Sequence, residues 1–268
     1  MSDQRRARFR ELHAGGIFVM PNPWDIGSAK LLASMGFEAL ATTSAGLAWS
    51  LGKLDMQVTR DELVAHVVQI AVATPLPLNV DSERCFPNDP GGVAEAVRLL
   101  SDAGAAGCSI EDYDPAKDAI DSIEVAAERV ATAAEAAPLV LTARAENHLH
   151  GIDDLDDTIA RLVAYRDAGA DAVYAPGLRD LDAIARVVDE VGVPVNVLAL
   201  PGGPAVEELA SVGVRRVSTG GALARAAYGA LLAGAEELRD AGTSGYSEQG
   251  APADALREAF GRRYTSAP

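Results

Sequence analysis

The sequence predicts an α/β fold, a (β/α)8 barrel of the TIM type with one extra helix at its C-terminal end. Eight short apolar, β-rich segments recur along the 268 residues, each followed by a segment of helical pattern. Such strict alternation calls for parallel strands joined by crossover helices. The length suits a single eight-unit barrel. No Gly-x-Gly-x-x-Gly follows the first strand, which argues against a doubly wound dinucleotide-binding sheet.

In order, strands are predicted at 17–22, 39–45, 76–83, 107–113, 139–147, 172–177, 193–201 and 216–221. Helices are predicted at 25–35, 59–73, 91–103, 122–136, 153–168, 181–190, 204–212 and 223–240. The residues ahead of the first strand read as polar and helix-like. Gly36, Gly104, Gly169, Gly192, Gly213 and Gly242 stand at the expected helix ends, where a left-handed residue closes the last turn. A Gly/Ser-rich linker, Gly242-Thr243-Ser244-Gly245, then leads into a final helix over 253–264. The chain thus divides into a barrel, 1–242, and a linker with an oligomerisation helix, 243–268. Ala255, Leu256, Ala259 and Phe260 form an apolar stripe on that helix, which needs a surface on its own barrel or on a neighbouring subunit.

Bulk properties narrow the function. The formal net charge is −16, from 23 Lys plus Arg against 39 Asp plus Glu. Nucleic acid and anionic membrane both require a positive footprint, so neither is an expected partner. No apolar run approaches the ~20 residues that span a bilayer, and the polar N-terminus lacks an apolar signal core, so a cytoplasmic location is expected. Cys85 and Cys108 are too few for a disulfide framework, and no Cys/His spacing suggests zinc.

Chemistry in such barrels gathers at the C-terminal ends of the strands. The third strand delivers Asn79-Val80-Asp81-Ser82-Glu83, and strand alternation turns Asp81 and Glu83 to one face. The fourth ends in Glu111 and Asp112. Carboxylates converging on one rim suit a hard cation such as Mg²⁺. The fifth supplies Arg144, Glu146 and Asn147, and a guanidinium there either pairs with those acids or grips an anionic substrate. Asn22, Trp24 and Asp25, Thr42–Ser44, Asn196, Ser218 and Thr219 complete the rim. Residues 46–55, punctuated by glycine and ending in Asp55, read as a loop able to close over a substrate, with Trp49 as packing.

Taken in order, these motifs resemble the isocitrate lyase/phosphoenolpyruvate mutase superfamily. The resemblance runs through Pro21-Asn22-Pro23-Trp24-Asp25, Thr43-Ser44-Ala45-Gly46, Ser50-Leu51-Gly52 to Asp55, Asp81-x-Glu83, Ser109-Ile110-Glu111-Asp112, Ala143-Arg144 and Val195-Asn196-Val197. It implies a Mg²⁺-dependent enzyme that makes or breaks a C–C or P–C bond beside a pyruvate unit through an enolate. The substrate expected is a small α-keto or 2-hydroxy di-acid. By resemblance, Asp81, Glu83 and Glu111 are the metal-site acids, acting in part through water. Thr43, Ser44 and Ala45 hold the keto acid, with Trp24 and Asn196 as further substrate-site positions. Arg144 orients the substrate and Asp55 is the gating-loop aspartate. The resemblance also implies a homo-oligomer, a dimer of dimers, with the last helix swapped between barrels.

The pattern is broken in places. The lyases' Lys-Lys-Cys-Gly-His is replaced by residues 114–121, which hold neither Cys nor His, and Lys117 stands where mutase-type members carry a lysine. Gly-Tyr-Gly after the metal acids is replaced by Cys85-Phe86-Pro87. Arg84 is free on this reading to pair with Glu83, shift the metal's surroundings or contact substrate; Cys85 is expected at the rim. Cys108 reads as core, and His148 and His150 as solvated loop residues. The alternative is a catalytically silent barrel that binds a keto acid.

Overall fold

The structure, a computed structural model, describes residues 2–262. Its first half runs α1 (Ser2–Ala14), β1 (Phe18–Met20), α2 (Ile26–Ser34), β2 (Leu40–Ala41), α3 (Ser44–Ser50), α4 (Arg60–Ala73), β3 (Leu78–Asp81), α5 (Gly92–Asp102) and β4 (Gly107–Glu111). A small hairpin, β5 (Tyr113–Asp114) and β6 (Ala119–Ile120), precedes α6 (Ile123–Ala136), β7 (Val140–Arg144) and α7 (Leu155–Asp167). The chain continues through β8 (Ala172–Tyr174), α8 (Leu181–Val191), β9 (Val195–Leu198), α9 (Val206–Ser211), β10 (Arg216–Ser218), α10 (Ala222–Asp240) and α11 (Ala253–Gly261).

Eight parallel strands form one sheet in the order β1-β10-β9-β8-β7-β4-β3-β2. Across the remaining seam the Ala41 N–H donates to the Pro21 carbonyl at 3.1 Å, so the sheet closes into the expected (β/α)8 barrel. Outward-facing Val80, Ile110, Leu141, Val173 and Val217 pack with helix residues such as Val67, Ile70, Leu100 and Leu162 in one continuous apolar layer. Helix starts are set by side-chain caps: the Asp25, Thr59, Ser122, Asp154 and Asp180 oxygens each accept an amide of the first turn.

The floor of the barrel is closed by α1. Its Phe9 and Leu12 join Phe18, Met20, Ala41 and Val140 in a second apolar cluster. Gly107 permits this: a Cβ there would stand 2.7 Å from the Phe9 ring and 2.6 Å from the Val140 carbonyl oxygen. The polar helix-like start of the chain therefore forms a plug, with Phe9 and Leu12 three residues apart on one face.

Three segments differ from expectation. The strands are shorter than predicted, because only their central residues carry ladder bonds. The region after β2 is not a long loop: Thr43 caps α3 at once, its Oγ1 accepting the Gly46 N–H at 3.3 Å. Residues 113–120 form a hairpin rather than an open loop. Beyond α10, the Gly245 and Tyr246 N–H groups both bond Glu237, folding the linker back onto that helix. The last helix then lies against α2 of its own chain, with Ala259 buried and the Phe260 ring beside Gly27. Tyr264, the end of the predicted helix, lies outside the described residues.

Candidate active site

β3, β4 and β7 are adjacent in register, with Asp81 opposite Ser109 and Glu111 opposite Arg144. Their C-terminal ends therefore meet. Arg144 is the hub: Nη1 bonds Asp81 at 2.7 Å, Nη2 approaches Glu111 at 3.2 Å and Nε bonds Glu146 at 2.7 Å. Its guanidinium carbon lies 5.4 Å from the centre of the Tyr174 ring. The second oxygen of Asp81 accepts the Ser44 N–H at 3.0 Å, tying the start of α3 to the acid cluster. The Ala45 N–H is an unpaired first-turn donor of that helix among the described residues.

The chain after Asp81 departs from strand geometry. Glu83, Cys85 and Phe86 have φ of 49°, 56° and 48°, a left-handed run that is costly for residues with a Cβ. Alternation thus stops at Asp81, and the shared face predicted for Asp81 and Glu83 does not follow from it. Instead the Glu83 carbonyl accepts the Glu111 N–H at 2.9 Å, which pins the turn over the barrel mouth. Cys85 is buried, its Sγ 3.1 Å from the Ser82 hydroxyl, and so is not at the rim. Arg84 turns away from Glu83 and pairs with Asp114 at 2.9 Å and Asp121 at 2.7 Å.

Burial governs the charges. It pushes the Glu83 carboxyl up to about 8, with Asp81 and Asp55 adding repulsion. Asp55 is raised by burial and by Asp81, although the Ser44 hydroxyl bonds it. Burial lifts Glu111 well above the carboxylate range. Burial alone would weaken Arg144 as a cation, but Glu146, Glu111 and Asp81 outweigh it and hold the proton firmly. The Glu83 Oε1 is buried with no hydrogen bond. An orphaned carboxylate oxygen, neighbouring carboxyls that burial raises, and a donor set made of oxygen fit a hard divalent cation. Among the described residues no three acid, His or Cys groups converge tightly enough to chelate one directly. A cation here would keep water ligands, the habit of Mg²⁺.

A cavity of about 160 Å³ opens beside this cluster. Of the residues expected at the site, Thr43, Ser44, Ala45, Asp55, Asp81, Arg144 and Asn196 line it. Glu83 and Glu111 are not among its lining residues, although Glu111 pairs with Arg144. Trp24 packs against Gly46, where a Cβ would come within 2.9 Å of the Trp24 Cβ, and does not line the cavity. Lys117 also lies outside the lining; two-thirds exposed, it pairs with Asp114 at 3.0 Å and Asp121 at 3.5 Å. His150 stacks on Tyr113, and the His148 side chain is buried against Thr158. Trp49 packs edge-on against Tyr228.

The phosphoenolpyruvate phosphomutase family profile matches residues 9–239. The chain belongs to the isocitrate lyase/phosphoenolpyruvate mutase superfamily. It is 37% identical over 217 residues to a Mycobacterium tuberculosis H37Rv protein whose name states no activity, covering 79% of this chain and 81% of that one. An oxaloacetate decarboxylase of Pseudomonas entomophila is 29% identical over 85% of this chain and 81% of its own. A crystal structure from Burkholderia cenocepacia J2315, provisionally called a lyase/mutase, superposes with a TM-score of 0.92 at 49% identity, covering 97% of this chain and 98% of that one. The chain is an enzyme of this superfamily, whose chemistry is C–C or P–C bond making and breaking on keto-acid substrates.

Two features of this superfamily member escape a reading of the sequence. Tyr174 and Arg216 both line the cavity, yet each sits in a short apolar strand segment where a polar side chain gives no pattern. Asp112, read only as a rim acid, is buried: one oxygen accepts the Glu146 N–H at 2.9 Å and the other the Tyr165 hydroxyl at 2.6 Å.

Proposed function

We propose that this enzyme cleaves or forms a bond beside a pyruvate unit and holds the resulting enolate between Arg144, the Ser44–Ala45 segment and a metal-bearing acid cluster. The observation that carries the reading is the convergence of Arg144, Asp81, Ser44 and Asp55 on one cavity whose acids outnumber the single guanidinium paired with them. Asp81, Glu83 and Glu111 would hold Mg²⁺, in part through water, and the bound ion would supply Lewis-acid stabilisation to an enolate oxygen. The remaining work belongs to the chain. The Ala45 N–H donates to a keto-acid oxygen, preorganised because α3 is capped by Thr43 and tethered to Asp81, while the Ser44 hydroxyl holds Asp55 beside it. Arg144, locked by three carboxylates, keeps N–H groups for the substrate carboxylate and fixes its plane. Asp55, its carboxyl raised, orders water or exchanges a proton at the mouth.

C–C cleavage of a small α-keto or 2-hydroxy di-acid is favoured over P–C chemistry. Lys117, the residue that pointed toward phosphonopyruvate, is engaged with Asp114 and Asp121. The oxaloacetate decarboxylase relative covers most of the chain. The test is a panel of oxaloacetate, alkylmalates, 2-methylisocitrate and phosphonopyruvate, followed by pyruvate release and phosphorus NMR with Mg²⁺ or with EDTA. Turnover of one carbon acid that needs Mg²⁺ and falls at least ~100-fold in Asp81→Ala is expected. Turnover of none of the panel, with the phosphonopyruvate spectrum unchanged, would sink the proposal.

A further inference from the structure

The cavity has two cations, and they are not alike. Arg144 is neutralised by Asp81, Glu111 and Glu146. Arg216 is not. It enters from the first residue of β10, two positions below Ser218 on the same inward face, and is 2% exposed. Its Nε donates to Asn196 Oδ1 at 2.8 Å, one terminal nitrogen to Thr142 Oγ1 at 2.9 Å and the other to His13 Nε2 at 3.1 Å. All three acceptors are neutral. The histidine cannot be charged there, since burial and Arg216 push it down to about 3 and its Nδ1–H is used on the Phe9 carbonyl at 2.7 Å. No carboxylate lies within ion-pair distance of Arg216 among the described residues.

A guanidinium carries five N–H groups, so one on each terminal nitrogen remains without a protein acceptor. A buried charge without a counter-ion is strongly disfavoured, and chains normally pair it, neutralise it or leave it in water. Arg216 cannot lose its proton at physiological pH even though burial weakens it to about 10. The cavity that Arg216 lines is lined beside it by the polar side chains of Asn79, Ser109, Asn196 and Ser218. The missing counter-charge therefore has a place to sit and a route by which to arrive.

We infer that Arg216, with Asn196 and Ser218 beside it, forms an anion subsite at the floor of the cavity that receives one carboxylate of a di-acid substrate. The inference rests on the keto-acid reading of the cavity and adds to it the end at which the second acid group is read. Arg144, its charge balanced by protein carboxylates, orients the reacting end at the mouth with its remaining N–H groups; Arg216 fixes how long the substrate is. The same chemistry admits a free halide when no acid is bound.

The test uses malonate as the dicarboxylate and bromide as the halide. Calorimetric titration in halide-free buffer is expected to show malonate binding that weakens at least tenfold in Arg216→Gln and stays within threefold in Arg216→Lys. Crystals of the wild-type protein soaked in bromide are expected to show an anomalous peak in hydrogen-bond range of the Arg216 guanidinium. If malonate displaces that peak, the subsite takes the substrate carboxylate; if the peak persists at saturating malonate, the site holds a free inorganic anion only and the inference is overturned. Malonate affinity unchanged in Arg216→Gln, or no bromide at Arg216, overturns the inference. Should the Gln variant fail to fold, the bromide experiment decides alone. A protein that turns over a keto acid yet holds no anion at Arg216 loses only the subsite, whereas one that binds bromide there and turns over nothing in the panel loses only the keto-acid reading.

Discussion

Without the Arg144 guanidinium, Asp81, Glu111 and Glu146 would face one another in a buried site with no positive charge between them. Breaking such a group from one side costs about 3–5 kcal/mol. Arg144→Gln is expected to lose that much in urea denaturation of the metal-free protein, and added Mg²⁺ is expected to recover part of it. His66 offers a second test at this scale. It is buried on α4, its Nε2 has no partner, and burial pushes it down to about 4. In the unfolded chain a histidine protonates near 6.5, so between roughly pH 6.5 and 4 the unfolded state binds the extra proton and stability is lost as pH falls. The raised carboxyls of the site titrate in the opposite sense. The difference between wild type and His66→Leu, not the raw curve, reads the histidine: the variant is expected to gain on wild type as pH drops through that window, by a few kcal/mol in urea midpoints. A constant difference would contradict it. Residues at strand ends, such as Asp81, Glu111 and Arg144, were legible because a strand's last position in a barrel is a fixed place. Arg84 and Cys85 were not, since the left-handed run from Glu83 to Phe86 breaks alternation and sends one to Asp114 and the other into the core.

Elements hold the site from behind. Tyr165 and Arg161 on α7 grip Asp112 at the end of β4, and Asp112 in turn accepts the Glu146 N–H, which sets the carboxylate that bonds Arg144. Asp112→Asn replaces an acceptor by a donor facing Arg161 or Tyr165. A loss of about 2–3 kcal/mol in stability is expected, with kcat lowered more than KM because the substrate-orienting guanidinium loses its alignment. Steady-state kinetics and thermal melts would check this, and an unchanged kcat would show that α7 does not position the rim. The alternating strands and helices were readable from period and caps. The hairpin β5–β6 was not, because its two-residue strands are defined by side chains closing on Arg84 and Lys117 rather than by any apolar pattern. α3 was hidden by Gly46 within it and Gly52 just after it, although Gly46 is there so that Trp24 and Thr43 can close around the helix start.

At the scale of the molecule, α10 is the anomaly. Only Ala224 and Gly234 of its residues are buried, while Leu231, Leu232 and Leu238 are more than half exposed. A long helix with apolar side chains facing water is a surface awaiting another protein, and a second copy of this chain is the expected cover. We predict a homotetramer, a dimer of dimers, by light scattering, and a smaller species for Leu231→Glu with Leu232→Glu. A monomeric wild type would contradict it. The predicted separation of a barrel, 1–242, from an oligomerisation segment, 243–268, stands or falls with this result. The barrel and its acidic rim were legible in the sequence because they depend on order and periodicity. What lies inside the barrel depends on which chain atoms lack partners, and only coordinates show that.

The proposed work of this rim is to hold an enolate with the help of a divalent metal. Oxalate is planar and dianionic and mimics the enolate of pyruvate, so its binding tests the claim without knowledge of the substrate. Calorimetric titration of oxalate is expected to give one site per chain with Mg²⁺ present, at least ~100-fold weaker affinity with EDTA, and no binding in Asp81→Asn. Oxalate affinity that is the same with and without Mg²⁺, or undiminished in Asp81→Asn, would contradict it.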